Sequence, residues 1–180
     1  MADTYQIKNQ EGLYYLTFQV VGWADIFSRK IYRDIVIDSL DYSRKNKGLE
    51  LFSYVIMTNH IHLIVRSTKG DLSGTVRDIK KHISKQVFKT MNEISESRRE
   101  WLEIIFKYHA RSNKRSSLMQ FWTHENHAVE LTTNKMIQSR LDYIHQNPVR
   151  AAWVCKPEDY MYSSARNFAD LESLLKIDEI

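Results

Sequence analysis

The hydrophobic pattern switches repeatedly between two periods. From Gly12, GLYYLTFQVVGW is aromatic and β-branched and predicts a strand over 14–21. FSRKIYRDIVIDSLDYSRKNKG then brings Ile31, Ile35, Ile37 and Leu40 near helical spacing, with Gly48 as the stop. Two apolar runs, 50–57 and 60–66, flank Thr58-Asn59 and predict a hairpin. KGDLSGTVRDIKKHISKQVFKTMNEIS carries Val76, Ile79, Ile83, Val87 and Met91 on one helical face. A further helical piece is expected over 96–106, a basic polar loop over 107–117 and a fourth strand over 120–130. TTNKMIQSRLDYIHQNPVRAAW predicts a helix capped at Thr132 or Thr133. It should end before Pro148, because the residue preceding proline avoids helical angles. KPEDYMYSSARNF reads as an irregular packed tail.

The element order β-α-β-β-α-β plus a helix predicts an α+β fold: a ferredoxin-like split βαβ sandwich. Its antiparallel sheet would carry helices on one face, with the helix around Tyr143 added at the C-terminal end. One domain is expected over 1–180, with a core at about 12–165 and an acidic tail over 166–180. That fold hosts many functions and selects none.

Composition narrows the class. With 43% apolar and 27% charged residues, 5 Gly and 2 Pro, the chain is neither fibrous nor disordered. The single cysteine, Cys155, excludes an intramolecular disulfide and a cysteine-rich metal site. No apolar run approaches the ~18 residues that span a bilayer, and MADTYQIKNQEG lacks the form of a signal peptide. A cytoplasmic protein without a membrane partner is therefore expected. The net charge of +4 points weakly to an anionic partner, and KYHARSNKR (107–115) is basic and free of acids.

Two segments carry chemistry. In YVIMTNHIHLIV, side chains alternate, so His60 and His62 share one strand face while Asn59, Ile61 and Leu63 take the other. Two imidazoles and a third ligand, with positions left for water or substrate, would make a catalytic metal site. The alternative is two unrelated histidines near a strand end. In LDYIHQNPVRAAWV, Tyr143 and Asn147 are four apart and share a helix face. Tyr143 could serve as an activated nucleophile and the Asn147 amide oxygen as the third ligand. The alternative is a tyrosine that packs the helix on the sheet.

Together these segments resemble the HUH single-strand transposases, most closely the REP-associated tyrosine transposases of the IS200-like family. The matching stretches are VIMTNHIHLIV and YIHQNPVRAAWV, with LYYLTFQVVGWADIFS, DLSGTVRDIKKHISKQ and PEDYMYSSA beside them, spanning about 12–165. The resemblance implies that His60 and His62 bind Mg²⁺ or Mn²⁺ with a ligand from the tyrosine helix, Asn147 or as fallback Gln146. Tyr143 would attack a phosphate in single-stranded, hairpin-containing DNA and form a 5′-phosphotyrosyl link with a free 3′-OH. Relatives include dimers that complete each site with a partner's tyrosine helix, and monomers.

The chain departs from the family pattern at Thr58, where proline is usual, and at Ala152, where glycine is usual. FWTHENHAVELTT replaces an aromatic, Trp-Gln-containing segment, and its His124 and His127 offer a competing ligand set. Arg77, Lys80, Lys81 and Lys85 on the long helix, and Arg111, Lys114 and Arg115 in the loop, are the phosphate-binding candidates. Trp122 is the candidate for stacking on bases. Competing readings are a non-catalytic DNA- or RNA-binding module and a metal-dependent phosphodiesterase with a structural tyrosine.

Overall fold

The computed structural model describes residues 6–111, 118–124 and 126–180. Four strands, β1 (Tyr14–Gln19), β2 (Leu49–Ile56), β3 (His60–Ser67) and β4 (Val129–Glu130), form one antiparallel sheet in the order β2-β3-β1-β4. Among the described residues, five α-helices accompany it: α1 (Lys30–Lys47), α2 (Leu72–Glu93), α3 (Arg99–Arg111), α4 (Asn134–Arg150) and the short α5 (Ala165–Phe168). No helix of the described residues is long and apolar enough to cross a membrane.

The sheet separates two apolar clusters. Leu16, Phe18, Ile61, Leu63 and Val65 face α1 and α2 and join Tyr32, Val36, Leu40, Val76, Ile79 and Ile83 in the main core. Tyr15, Phe52, Val55 and Ile64 face the other way and meet Leu141 and Ile144 of α4. Strand alternation alone accounts for this division, except on β2. There a bulge between Leu51 and Ser53 inserts a residue, so Leu51 and Tyr54 both reach the main core. The displaced Ser53 is satisfied by Ser164 Oγ at 2.9 Å.

The helix ends follow from local chemistry. α1 stops at Gly48, whose φ of 72° lies in the left-handed region, and a Cβ there would sit 2.6 Å from Thr68 Oγ1. Asp71 caps α2 by accepting from Gly74 N, and Thr133 caps α4 by accepting from Met136 N. The hairpin between β2 and β3 closes where Met57 N donates to the His60 carbonyl.

The main departures from the expected boundaries are in three elements. α3 runs to Arg111 instead of yielding to a loop at 107, because Leu102, Phe106 and Ala110 continue its buried stripe. The fourth strand shrinks to Val129–Glu130: Val20 still bridges Trp122, but His127 adopts φ 42° and breaks the ladder between them. α4 passes through Pro148 to Arg150. Only Val149 and Arg150 of the helix lie beyond the proline, whose missing N–H leaves the Ile144 carbonyl without its helical donor, and Arg150 Nη2 donates to the neighbouring Tyr143 carbonyl. The tail is packed: Leu175 is buried, and Asp178 accepts from Leu51 N and pairs with Arg44.

Candidate active site

The two histidines stand on the α4 side of β3, and their ring centroids are 4.7 Å apart. Burial pushes the His60 imidazole down to about 4 and His62 to about 3, the latter aided by His60, Arg150 and Arg140. Both are neutral near pH 7, the form that can donate a lone pair to a metal. Asn59 Oδ1 lies 2.6 Å from His60 Nδ1. An amide oxygen only accepts, so the His60 proton sits on Nδ1 and leaves Nε2 bare. His62, 4% exposed, has Tyr15 Oη at 2.8 Å and Thr17 Oγ1 at 2.9 Å from its Nδ1. Its Nε2 is buried without a hydrogen-bond partner.

β1 supplies those hydroxyls through register. Thr17 stands directly opposite His62, and Tyr15, two residues away, shares its face. The Tyr15 ring stacks on His62 at 5.5 Å. Burial raises its phenol to about 12, so it stays neutral.

α4 brings Tyr143 to the same place. Its ring meets His62 edge-on at 5.3 Å and Tyr15 at 6.2 Å, yet 37% of the residue remains exposed. The Arg150 guanidinium lies 4.4 Å over the Tyr143 ring, and that of Arg140 lies 4.8 Å over Tyr15. Asn147, one turn beyond Tyr143, is half-buried, and its Nδ2 has no hydrogen-bond partner. Gln146 is exposed and lines an open depression with Lys135, Tyr143 and Arg150. His145 faces elsewhere: Ser164 Oγ lies 3.0 Å from its Nε2, and burial lowers it to about 4.

Two neutral imidazoles with uncommitted Nε2 atoms fit a divalent cation, and a ligand from Asn147 would be its Oδ1, since the unpartnered Nδ2 is an N–H donor. No group of three or more His, Cys, Asp or Glu side chains suited to a metal occurs among the described residues. His124 and His127 line a separate depression with Gln19, Gly22 and Trp23.

The chain belongs to the IS200-like transposase family. The family model, described as Transposase IS200 like, matches residues 23–120, more than half of the chain. The IS200-like match contains His60 and His62 and ends before α4, so Tyr143 lies outside it. A solved REP-associated tyrosine transposase bound to a REP hairpin has the same fold, with a TM-score of 0.61 and 18% identity over 100% of this chain and 95% of that one. A protein assigned as a transposase, from Deinococcus radiodurans, gives a TM-score of 0.45 and 15% identity over 79% of this chain and 95% of that one. No curated protein sequence matches.

Among the cations expected to face DNA, Arg77, Lys81, Lys85 and Arg111 are exposed, the first three on α2, across the sheet from Tyr143. Lys114 and Arg115 lie outside the described residues. Two expectations need correction. Lys80 is committed inside: its ammonium donates to the Thr123 carbonyl and to Asn126 Oδ1, and burial lowers it to about 8. Trp122 is 8% exposed, packed on Phe18 and Phe27 in the core, with Nε1 donating to the Lys80 carbonyl. It cannot stack on a base without leaving the core. Sequence reasoning missed Tyr15, Thr17, Arg140 and Arg150. The first two carried a signal, since hydroxyl residues two apart in an apolar strand share a face as His60 and His62 do.

Proposed function

We propose that this transposase-family chain nicks and rejoins single-stranded, hairpin-containing DNA, with Tyr143 as nucleophile. The observation that carries the reading is the edge of Tyr143 against His62, a buried neutral imidazole with an unused Nε2. His60, His62 and Asn147, or Gln146 in its place, would hold Mg²⁺ or Mn²⁺. Bound there, the cation supplies Lewis-acid polarisation of the scissile phosphate.

The chain's own groups do the rest. Arg150 and Arg140 set positive charge beside the two tyrosines, where a phosphate gains negative charge in the transition state. The Tyr143 oxygen bonds to phosphorus as the P–O3′ bond breaks. The phenol gives up its proton and the departing 3′ oxygen takes one up. The products are a 5′-phosphotyrosyl link and a free 3′-OH. A second 3′-OH reverses the step, so rejoining needs no external energy source. Tyr15 and Thr17 hold the His62 ring through its Nδ1, leaving Nε2 for the cation.

The sheet order supports a ferredoxin-like sandwich acting as a single domain. The meeting of Tyr143 with His62 within one chain supports a site completed by one copy. That a relative is bound to a REP hairpin supports a hairpin substrate here. Lys135, Arg140 and Arg150 would take the single strand, and Arg77, Lys81, Lys85 and Arg111 the more distant duplex.

The test is incubation with end-labelled single-stranded hairpin DNA and Mn²⁺, followed by a denaturing protein gel. The expected result is a protein band carrying the 3′ label, dependent on metal and absent in Tyr143→Phe. The 5′ label should appear in a shortened free strand. DNA binding without an adduct across a broad hairpin panel would overturn this reading in favour of a binding module. Metal-dependent cleavage that survives Tyr143→Phe would favour a phosphodiesterase.

A further inference from the structure

Just past β1 the chain turns sharply, and Gly22 approaches α3 so closely that a Cβ there would sit 2.7 Å from the Ile105 side chain. Gly22 and Trp23 both take left-handed backbone angles, with φ of 61° and 54°. A residue with a bulky side chain adopts that conformation only at an energetic cost. Burial of the indole would offset it, but Trp23 is 69% exposed, the most exposed tryptophan of the described residues. The strain therefore holds a large flat aromatic surface in water. The neighbouring wall repeats the pattern: His127 also has a positive φ, 42°, and with His124 and Thr123 it closes a depression against Gln19, Val20 and Trp23.

This depression is tied to the histidine pair. Asn59 Nδ2 donates to the Trp23 carbonyl at 3.4 Å, while Asn59 Oδ1 accepts from His60 Nδ1 at 2.6 Å. Gln19 lines the depression and stands directly opposite His60 in the β1–β3 ladder. The depression thus begins one cross-strand spacing, about 5 Å, from the histidine. Its lining combines an indole face, two imidazoles, a hydroxyl and an amide. Flat stacking surfaces with a few hydrogen-bonding groups are what an unpaired base is held by.

We propose that this depression binds one unpaired nucleobase of the DNA strand lying across His60 and His62, with Trp23 as its stacking platform. The proposal rests on the single-strand reading above and adds a base-recognition site to it. Base-specific edges would be read by His124 and by the Gln19 amide oxygen, whose Nε2 is already committed to the Val20 and Asn59 carbonyls, and stacking alone would be indifferent to sequence.

The experiment is fluorescence anisotropy with two labelled 12-mers, oligo-dT and a strand of abasic sites, over a salt series. Both have the same phosphates and only one has bases. Trp23→Ala should weaken oligo-dT binding roughly tenfold or more, the scale of one lost base–aromatic stack. It should leave abasic-strand binding and the salt slope unchanged. Trp23→Phe should restore most of the affinity. Oligo-dT affinity unchanged in Trp23→Ala, or an equal loss on both strands, overturns the base site and leaves the nicking mechanism standing. A wild-type protein that binds neither strand overturns the single-strand reading itself. Because the side chain is exposed, Trp23→Ala should keep the melting temperature of the parent, which is checked alongside.

Discussion

The two faces of the sheet are made from the same strands and obey different rules. On the α1/α2 face, Leu16, Phe18, Ile61, Leu63 and Val65 form a continuous apolar surface against two long helices. On the α4 face the apolar set is smaller and is interrupted by Thr17, His60 and His62. Side chains that meet there keep unmet bonding capacity, at His62 Nε2 and Asn147 Nδ2. Alternation lets one strand serve both: in β3, Ile61 packs in the main core while His60 and His62 on either side of it face α4. A buried unsatisfied polar atom costs about 1–3 kcal/mol, so the second face is held together partly by the first.

The sharpest way to break this comparison is to change adjacent residues of β3. Leu63→Ala should lower unfolding stability by about 2–5 kcal/mol, the range for a buried leucine, while adduct formation per folded molecule persists. His62→Leu should shift stability by less than about 1 kcal/mol, because the lost bonds to Tyr15 and Thr17 are offset by removal of the orphaned Nε2. It should abolish Mn²⁺ binding and the adduct. Urea denaturation and titration calorimetry on both variants give the four numbers. Similar stability losses in the two would remove the distinction between the faces.

Where the pattern was legible follows the same division. Apolar periodicity exposed the strands and long helices because it records which face is buried. It also exposed His60 and His62 as a pair, since a two-residue period fixes their common side. Tyr15 and Thr17 stayed hidden as their partners because periodicity does not say which strand lies beside β3. Trp122 was misjudged, and Trp23 was not singled out, for a related reason. Whether an indole is enclosed depends on Phe18, Phe27 and Lys80, far away in sequence. Pro148 was read by a local rule that ceases to bind once only one helical turn remains to be made.

Acid should probe the α4 face next. His60, His62 and His145 belong to that side, and burial lowers all three from 6.5 to about 4 or below. Between those values the unfolded chain binds protons that the folded chain refuses. Stability therefore rises with pH through this window and is lost as pH falls from about 6.5 toward 4. The metal-free protein should show a falling melting temperature over that range, with proton uptake on unfolding near pH 5. His145→Gln should reduce the slope and leave the adduct. A flat profile between pH 6.5 and 5 would mean the imidazoles are not enclosed.

The smallest effect concerns the outer surfaces of the two layers. Lys135 lies in the depression beside Tyr143, whereas Lys85 is exposed on α2, across the sheet. Each phosphate neutralised contributes about 0.7 to the salt slope on a single strand and about 0.9 on a duplex. Lys135→Ala should therefore flatten the slope for an unstructured oligonucleotide by about 0.7, and Lys85→Ala should leave it unchanged. With a hairpin that has a long stem, Lys85→Ala should flatten it by about 0.9. That outcome would mean the duplex wraps round to the α2 layer while the single strand stays on the α4 face. If Lys85→Ala changes neither slope, the basic residues of α2 are a solvated helix face, and DNA engages only the side that carries the histidines and Tyr143.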